Sequence, residues 1–309
     1  MRRKRFASSA ALLWATFFAL STAQGQQVAD PDFKPEIKKP AYEQGRGPVV
    51  CIDEAHFNFH TAGGRYAPFA ELLRRDGYVV KASAAKFSKE SLKGCRVLII
   101  ANALSERNQT NWSLPIDPSF TDDEVKAVAE WVGRGNSLFH IVDHMPMPGA
   151  NEKLAAAFGV RFSNGFALVP NDSAPFVFTR ANNLLADHPV TRGRNKDERV
   201  ETVATFTGSA FRVERGGAPV LTLAPGVVSL EPEVAWQFTE QTPKVDVAGW
   251  QQGATLKHGK GRVAVFGEAA MFTAQLAGPQ RQKVGMNAPQ APQNAQLLLN
   301  VMHWLTGKL

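Results

Sequence analysis

Short continuous apolar runs alternate along this chain with stretches of helical periodicity. Residues 48–53, 78–82, 97–101, 138–142 and 262–267 are apolar bursts that end in polar or small residues. That is the pattern of strands buried on both faces of a parallel sheet. Between the first two, residues 66–75 place Phe69, Leu72 and Leu73 at helical spacing, and Asp76-Gly77 stops the helix. Thr121-Asp-Asp-Glu124 forms a capping box, followed by Val125, Val128, Ala129 and Val132 on one face and by Gly133 and Gly135 at the end. Residues 151–158 predict a short helix closed by Gly159, and residues 294–305 an apolar final helix. Strand and helix in alternation predict an α/β fold, a flavodoxin-like doubly wound, mostly parallel sheet with right-handed crossovers.

The pattern changes at residues 165–258, where short strand-like pieces are broken by Gly and Pro. These predict a β-rich extension of the same domain, which spans residues 47–309. Residues 277–292, with several Pro, Gln and Gly, predict a surface loop crossing the strand ends. Residues 26–46, rich in Pro, Lys and Gln, predict an exposed leader.

Charge alters this picture only at the start of the chain. Arg2, Arg3, Lys4 and Arg5 precede an apolar run over residues 10–20 and the small residues Ser21, Thr22 and Ala23. That order predicts a secretory signal peptide over residues 1–25, cleaved after Ala23 or after Gly25, and hence a periplasmic or extracellular protein. The apolar run is about half the roughly 20 residues a membrane-spanning helix needs, so no transmembrane segment is expected in the mature chain. Removing those residues lowers the formal charge from +7 to +3, because they carry four basic and no acidic side chains. The remaining basic clusters, such as Arg192, Arg194 and Lys196, predict a solvated loop; no basic stripe interleaved with aromatics marks a nucleic-acid binder.

Two cysteines are present, Cys51 within the first strand and Cys95 at the start of the third. On adjacent parallel strands that offset is about four residues, or roughly 13 Å, beyond disulfide reach. Two free buried thiols are expected.

Open parallel sheets bind ligands outside the carboxyl ends of their strands. Here those ends carry Asp53, Glu54 and His56, with His60 close behind; then Asn102; then Asp143 and His144; and finally Glu268. His56, His60, Asp143 and His144 are candidate ligands for a divalent metal, His56 and His60 through their four-residue spacing. The competing reading is that these groups cap helix ends and bond loop backbone. His140, inside a strand, reads as a satisfied core residue. Gly63-Gly64-Arg65 before a helix is either an anion cradle or a tight turn, the turn being favoured. Asp53-Glu54-Ala55-His56 matches a helicase tetrapeptide by letters, with no phosphate-binding Gly-x-x-x-x-Gly-Lys loop to accompany it.

The stretch from Cys51 to Arg75, the turn Ile141-Val-Asp-His-Met-Pro-Met-Pro-Gly149 and the turn Gly267-Glu-Ala-Ala-Met-Phe-Thr-Ala-Gln275 resemble uncharacterised proteins of the class I glutamine amidotransferase-like superfamily. Relatives there include domains of gliding-motility and intraflagellar-transport proteins and trehalose-utilisation-like proteins. The resemblance covers nearly all of residues 47–309, implies the flavodoxin-like fold, and adds Gln275 to the candidate ligand-binding residues. Members that hydrolyse glutamine carry a nucleophilic Cys on a sharp turn after a strand. The comparable turn here holds Asp143 and His144 and no Cys, so that activity is not expected.

These observations predict an exported, non-catalytic ligand-binding domain for a carbohydrate or other polar envelope molecule. The alternatives are a metal-dependent or acid/base hydrolase built on the strand-end Asp, Glu and His residues, and a scaffold whose loops bind a protein partner.

Overall fold

A computed structural model describes residues 27–309; the expected signal peptide lies outside the described residues. In chain order the parallel core comprises β2 (Val49–Asp53), α1 (Ala67–Arg75), β3 (Val79–Ser83), β4 (Val97–Ala101), α2 (Asp122–Gly133), β5 (Ser137–Ile141) and α3 (Met147–Ala157), with β1 (Gln27–Ala29) preceding them. The extension adds β6 (Val160–Phe162), β7 (Phe166–Leu168), β8 (Phe176–Thr179), α4 (Pro189–Arg192), β9 (Thr202–Thr205), β10 (Phe211–Val213), β11 (Gly217–Thr222), β12 (Val228–Leu230) and β13 (Lys244–Asp246). The chain closes with β14 (Gln251–His258), β15 (Gly261–Phe266), β16 (Ala274–Ala277), β17 (Gln282–Gly285) and α5 (Asn294–Thr306).

The main sheet runs β3-β2-β4-β5-β15-β14-β10-β6, with β11 also on β14. Its first five strands are parallel, and the rest join antiparallel. The order of the parallel five is that of flavodoxin-like sheets, in which the chain reverses direction between the first and third strands, here β2 and β4. Alternate side chains of one strand enter different cores. Val97, Ile99 and Ala101 pack with α1 and α5, whereas Leu98 and Ile100 pack with α2 and α3. The extension shares the first core through Phe178, Val190, Val203 and Val220. Among the described residues, no helix is long and apolar enough to cross a membrane.

Thr121 and Glu124 form the expected capping box at the start of α2. The α3 helix starts earlier than expected, at Met147, because Pro148 is placed in its first turn, where a missing N–H costs nothing.

Residues 27–46 are largely exposed, as expected of a leader, but they are docked on the domain. β1 pairs antiparallel with β16, and Asp30 is buried. Phe33, Ile37 and Tyr42 pack on the core, while the backbone of Ala41 and Tyr42 bonds to Asp76. The expected loop over residues 277–292 is in part the hairpin of β16 and β17.

The cysteines are paired, not free: Cys51 and Cys95 form a disulfide with Cα atoms 5.8 Å apart. The expected offset extended the strand in a straight line, but β4 begins only at Val97, opposite Val50. Cys95 sits before it in a turn, its amide bonded to the Leu92 carbonyl after Gly94 at φ 88°. The turn brings Cys95 over the face into which Cys51 projects. Denatured, unreduced protein should therefore show no free thiol. Cutting this cross-link, whose ends are 44 residues apart, should remove about 2–4 kcal/mol of stability in urea titrations with and without reductant.

Candidate functional site

The strand-end residues divide into a buried structural group and a cavity-lining group. Asp53, fully buried, accepts from Ala55 N, from Asn58 Nδ2 and, at 2.9 Å, from His56 Nδ1. The other His56 nitrogen, Nε2, lies 2.9 Å from Glu124 Oε1. Two ring nitrogens each on a carboxylate require both to carry protons, so His56 is an imidazolium here. Burial opposes that charge, but hydrogen bonds to Asp53 and Glu124 and the charges of both outweigh it and raise the His56 pKa. Glu54 is spent on the Ala62 amide at 2.8 Å.

Glu268 is also fully buried and accepts from the Ala270 and Met271 amides at 2.9 and 2.6 Å. Burial, and then the neighbouring Asp143 charge, hold its carboxyl well above the usual range, against the backbone hydrogen bonds that favour its charged form. Asp53, Glu54, His56 and Glu268 thus lie beneath the rim without lining the cavity. His140 donates through Nε2 to Asn151 Oδ1 at 2.9 Å inside the core, where burial lowers its pKa to about 4.

His60, Asn102, Asp143, His144 and Gln275 converge on one cavity of about 240 Å3. Asn102, at φ 51° just past β4, ties the floor together: Nδ2 donates to His60 Nδ1 at 3.2 Å, and Oδ1 accepts from the Asp143 amide at 2.8 Å. His60 is buried and neutral, its pKa lowered to about 3 by burial and by Arg65 and His144. With Nδ1 accepting from Asn102, its proton is on Nε2. Asp143 accepts from the His144 and Ala269 amides at 2.8 and 3.2 Å. His144 donates Nδ1–H to the Met145 carbonyl at 2.7 Å, which leaves the Nε2 lone pair 4.0 Å from Asp143 Oδ1. Gln275 donates through Nε2 to Thr273 Oγ1 at 2.7 Å. Its Oε1 is sealed from solvent with no partner among the described residues.

Aromatic side chains that sequence reasoning missed wall this cavity. Phe59, Trp112, Phe206 and Trp236 line it, and the His144 ring stacks on Phe166 at 4.4 Å and meets Trp236 edge-on at 4.7 Å. They come from irregular loops, where neither helical nor strand periodicity marks a facing side. The one available signal was the presence of Trp112 and Trp236 in otherwise polar segments.

The i, i+4 spacing of His56 and His60 does not bring them together. The segment between is neither helical nor extended, with Phe57 at φ 46°. His56 packs between Phe87 and Phe120, whereas His60 packs against Phe59 and Tyr66. Among the described residues, no group of three or more His, Cys, Asp or Glu side chains is arranged to hold a metal ion, so His56, His60, Asp143 and His144 are not a ligand set. Gly63-Gly64 forms the tight turn, with the Gly64 and Tyr66 amides both bonded to the Thr61 carbonyl.

No protein-family model matches the chain, and no curated protein matches its sequence. Solved structures do match. The N-terminal domain of mmIFT52 aligns at 13% identity with a TM-score of 0.58, covering 83% of this chain and 97% of that one. The cytoplasmic protein STM3548 from Salmonella typhimurium aligns at 15% identity and 0.50, covering 84% and 98%. A ThuA-like protein from Bacteroides uniformis aligns at 14% identity and 0.46, covering 88% and 94%. The likeness to the first two is one of fold alone.

Proposed function

We propose that this is an exported binding domain for a small polar molecule, a sugar ring being the best fit. The observation that carries the reading is a cavity walled by aromatic rings and lined by Gln275, whose acceptor Oε1 has no partner among the described residues. A buried polar atom without a partner is costly, and a ligand hydroxyl would satisfy it. Asp143 and His144 Nε2 are further acceptors and His60 Nε2–H is a donor, a set that suits hydroxyls. Trp112 and Trp236 offer flat apolar faces of the kind that pack on the C–H face of a sugar. About 240 Å3 is below the roughly 300–1,000 Å3 of sites for drug-sized ligands, so one ring is the appropriate size.

Calorimetric titration with glucose, galactose and N-acetylglucosamine should give saturable binding to at least one, lost in His144→Ala. The absence of heat with all three would sink the sugar reading. Export is supported by the Cys51–Cys95 pairing, which suits an oxidising compartment, together with the charged-apolar-small order of the first residues. Intact mass of envelope protein should show the loss of roughly 23–25 residues. A cytoplasmic product of full mass would contradict it.

One observation favours hydrolysis as the second reading: the Met145 carbonyl orients His144 through Nδ1, with Nε2 4.0 Å from Asp143, the geometry of an oriented general base. Both cysteines are tied in the disulfide, so neither supplies the nucleophile of a glutamine amidotransferase.

A further inference from the structure

The cavity accommodates one ring, yet its aromatic wall does not stop at its mouth. Trp236 lines the cavity and is also 43% exposed, with Phe238 39% exposed beside it. Phe166 couples the two, its ring 4.6 Å from Trp236 and 5.2 Å from Phe238. Trp236 is held at φ 69°, a conformation that a bulky side chain rarely adopts and that costs free energy unless its surroundings impose it. Those surroundings are well bonded: Ala235 N donates to the Trp112 carbonyl at 2.9 Å, Gln237 N to the Val234 carbonyl at 3.0 Å, and Ser113 pairs with Val234 in an antiparallel bridge. Two large rings are thus kept facing solvent, one on a strained backbone at the cavity wall and the other joined to it through Phe166, an apolar surface of the kind that marks a binding site.

We propose that Trp236 and Phe238 form an outer subsite for the second ring of a saccharide chain whose terminal ring occupies the cavity. This rests on the sugar reading of the cavity and extends it from a monosaccharide to the end of an oligosaccharide. The inner ring is fixed by hydrogen bonds, and the outer ring by stacking, which tolerates variation in its hydroxyls.

The test is calorimetric titration of the purified protein with glucose, galactose and N-acetylglucosamine, each compared with its own β-1,4-linked dimer. For the sugar that binds, the dimer should bind about tenfold tighter than the monomer, the gain expected from one added aromatic contact. Phe238→Ala should reduce that gain to about threefold or less and leave monomer affinity unchanged, while Trp236→Ala should weaken both. A dimer that binds no tighter than its monomer, or a full gain retained in Phe238→Ala, overturns the outer subsite and leaves the cavity reading standing. If neither monomers nor dimers bind, both fall. Unaltered sugar binding in Phe238→Ala with loss of a protein partner instead assigns the rings to that partner and also overturns the proposal.

Discussion

Replacing His56 with alanine should destabilise the protein by about 3–5 kcal/mol, the cost of breaking a buried ion pair and leaving its partners uncompensated. The imidazolium lies between Asp53 and Glu124 at 2.9 Å from each, and His56 and Asp53 are essentially inaccessible to water. Removing it leaves two carboxylates facing one another across an apolar space lined by Phe87 and Phe120. Urea denaturation of the wild type and the variant at pH 6 measures the difference. A loss below about 1 kcal/mol would mean that the carboxylates find other partners and that the cluster is not a fastener. The pH dependence has a definite sign. Because the folded pKa of His56 is raised above its ordinary value near 6.5, its contribution is complete below that value and is lost as the pH climbs through the raised one. Glu124, whose pKa is lowered, contributes above its ordinary value near 4.5 and loses that contribution as the pH falls through the depressed one. Stability should therefore decline on both sides of a window between these limits. His56→Ala should lose the alkaline decline.

The division between legible and illegible features follows the range of the forces involved. The parallel strands and their helices were readable because burial on two faces imposes a continuous apolar run, and a capping box imposes its own letters. Asp143, His144, Asn102 and His60 reached the cavity because parallel topology delivers residues past the strand ends to one rim. The same topology delivered Asp53, Glu54, His56 and Glu268 to that rim, but their side chains turned inward to loop amides and to each other. That choice depends on which backbone N–H groups the loops leave unpaired, a tertiary fact with no local signature. The disulfide was missed because a single turn before β4 replaced the straight offset. The docking of residues 27–46 has no local signal, because β1 gains its partner from β16, about 250 residues later in the chain.

Gln275 offers the clearest separation of stability from binding. Its Nε2 donates to Thr273 Oγ1, which also donates to the Ala270 carbonyl at 2.7 Å, whereas its Oε1 is buried with no partner among the described residues. Gln275→Met keeps the length and approximate volume of the side chain, forfeits one hydrogen bond and removes the unsatisfied acceptor. A typical hydrogen bond contributes about 1 kcal/mol net, while an unpartnered buried polar atom costs about 1–3 kcal/mol, so the variant should be as stable as the parent or more stable by about 1 kcal/mol. Affinity should move the other way. If a ligand hydroxyl donates to Oε1, losing that acceptor strands the hydroxyl in a dry cavity, and binding of the recognised monosaccharide should weaken about tenfold or more. Thermal unfolding and calorimetric titration on the same preparations read the two effects. A large drop in melting temperature would place Gln275 in the framework that holds β16 to its neighbours. Unchanged affinity in a well-folded variant would mean that the ligand does not reach Oε1, and the observation on which the binding reading rests would no longer support it.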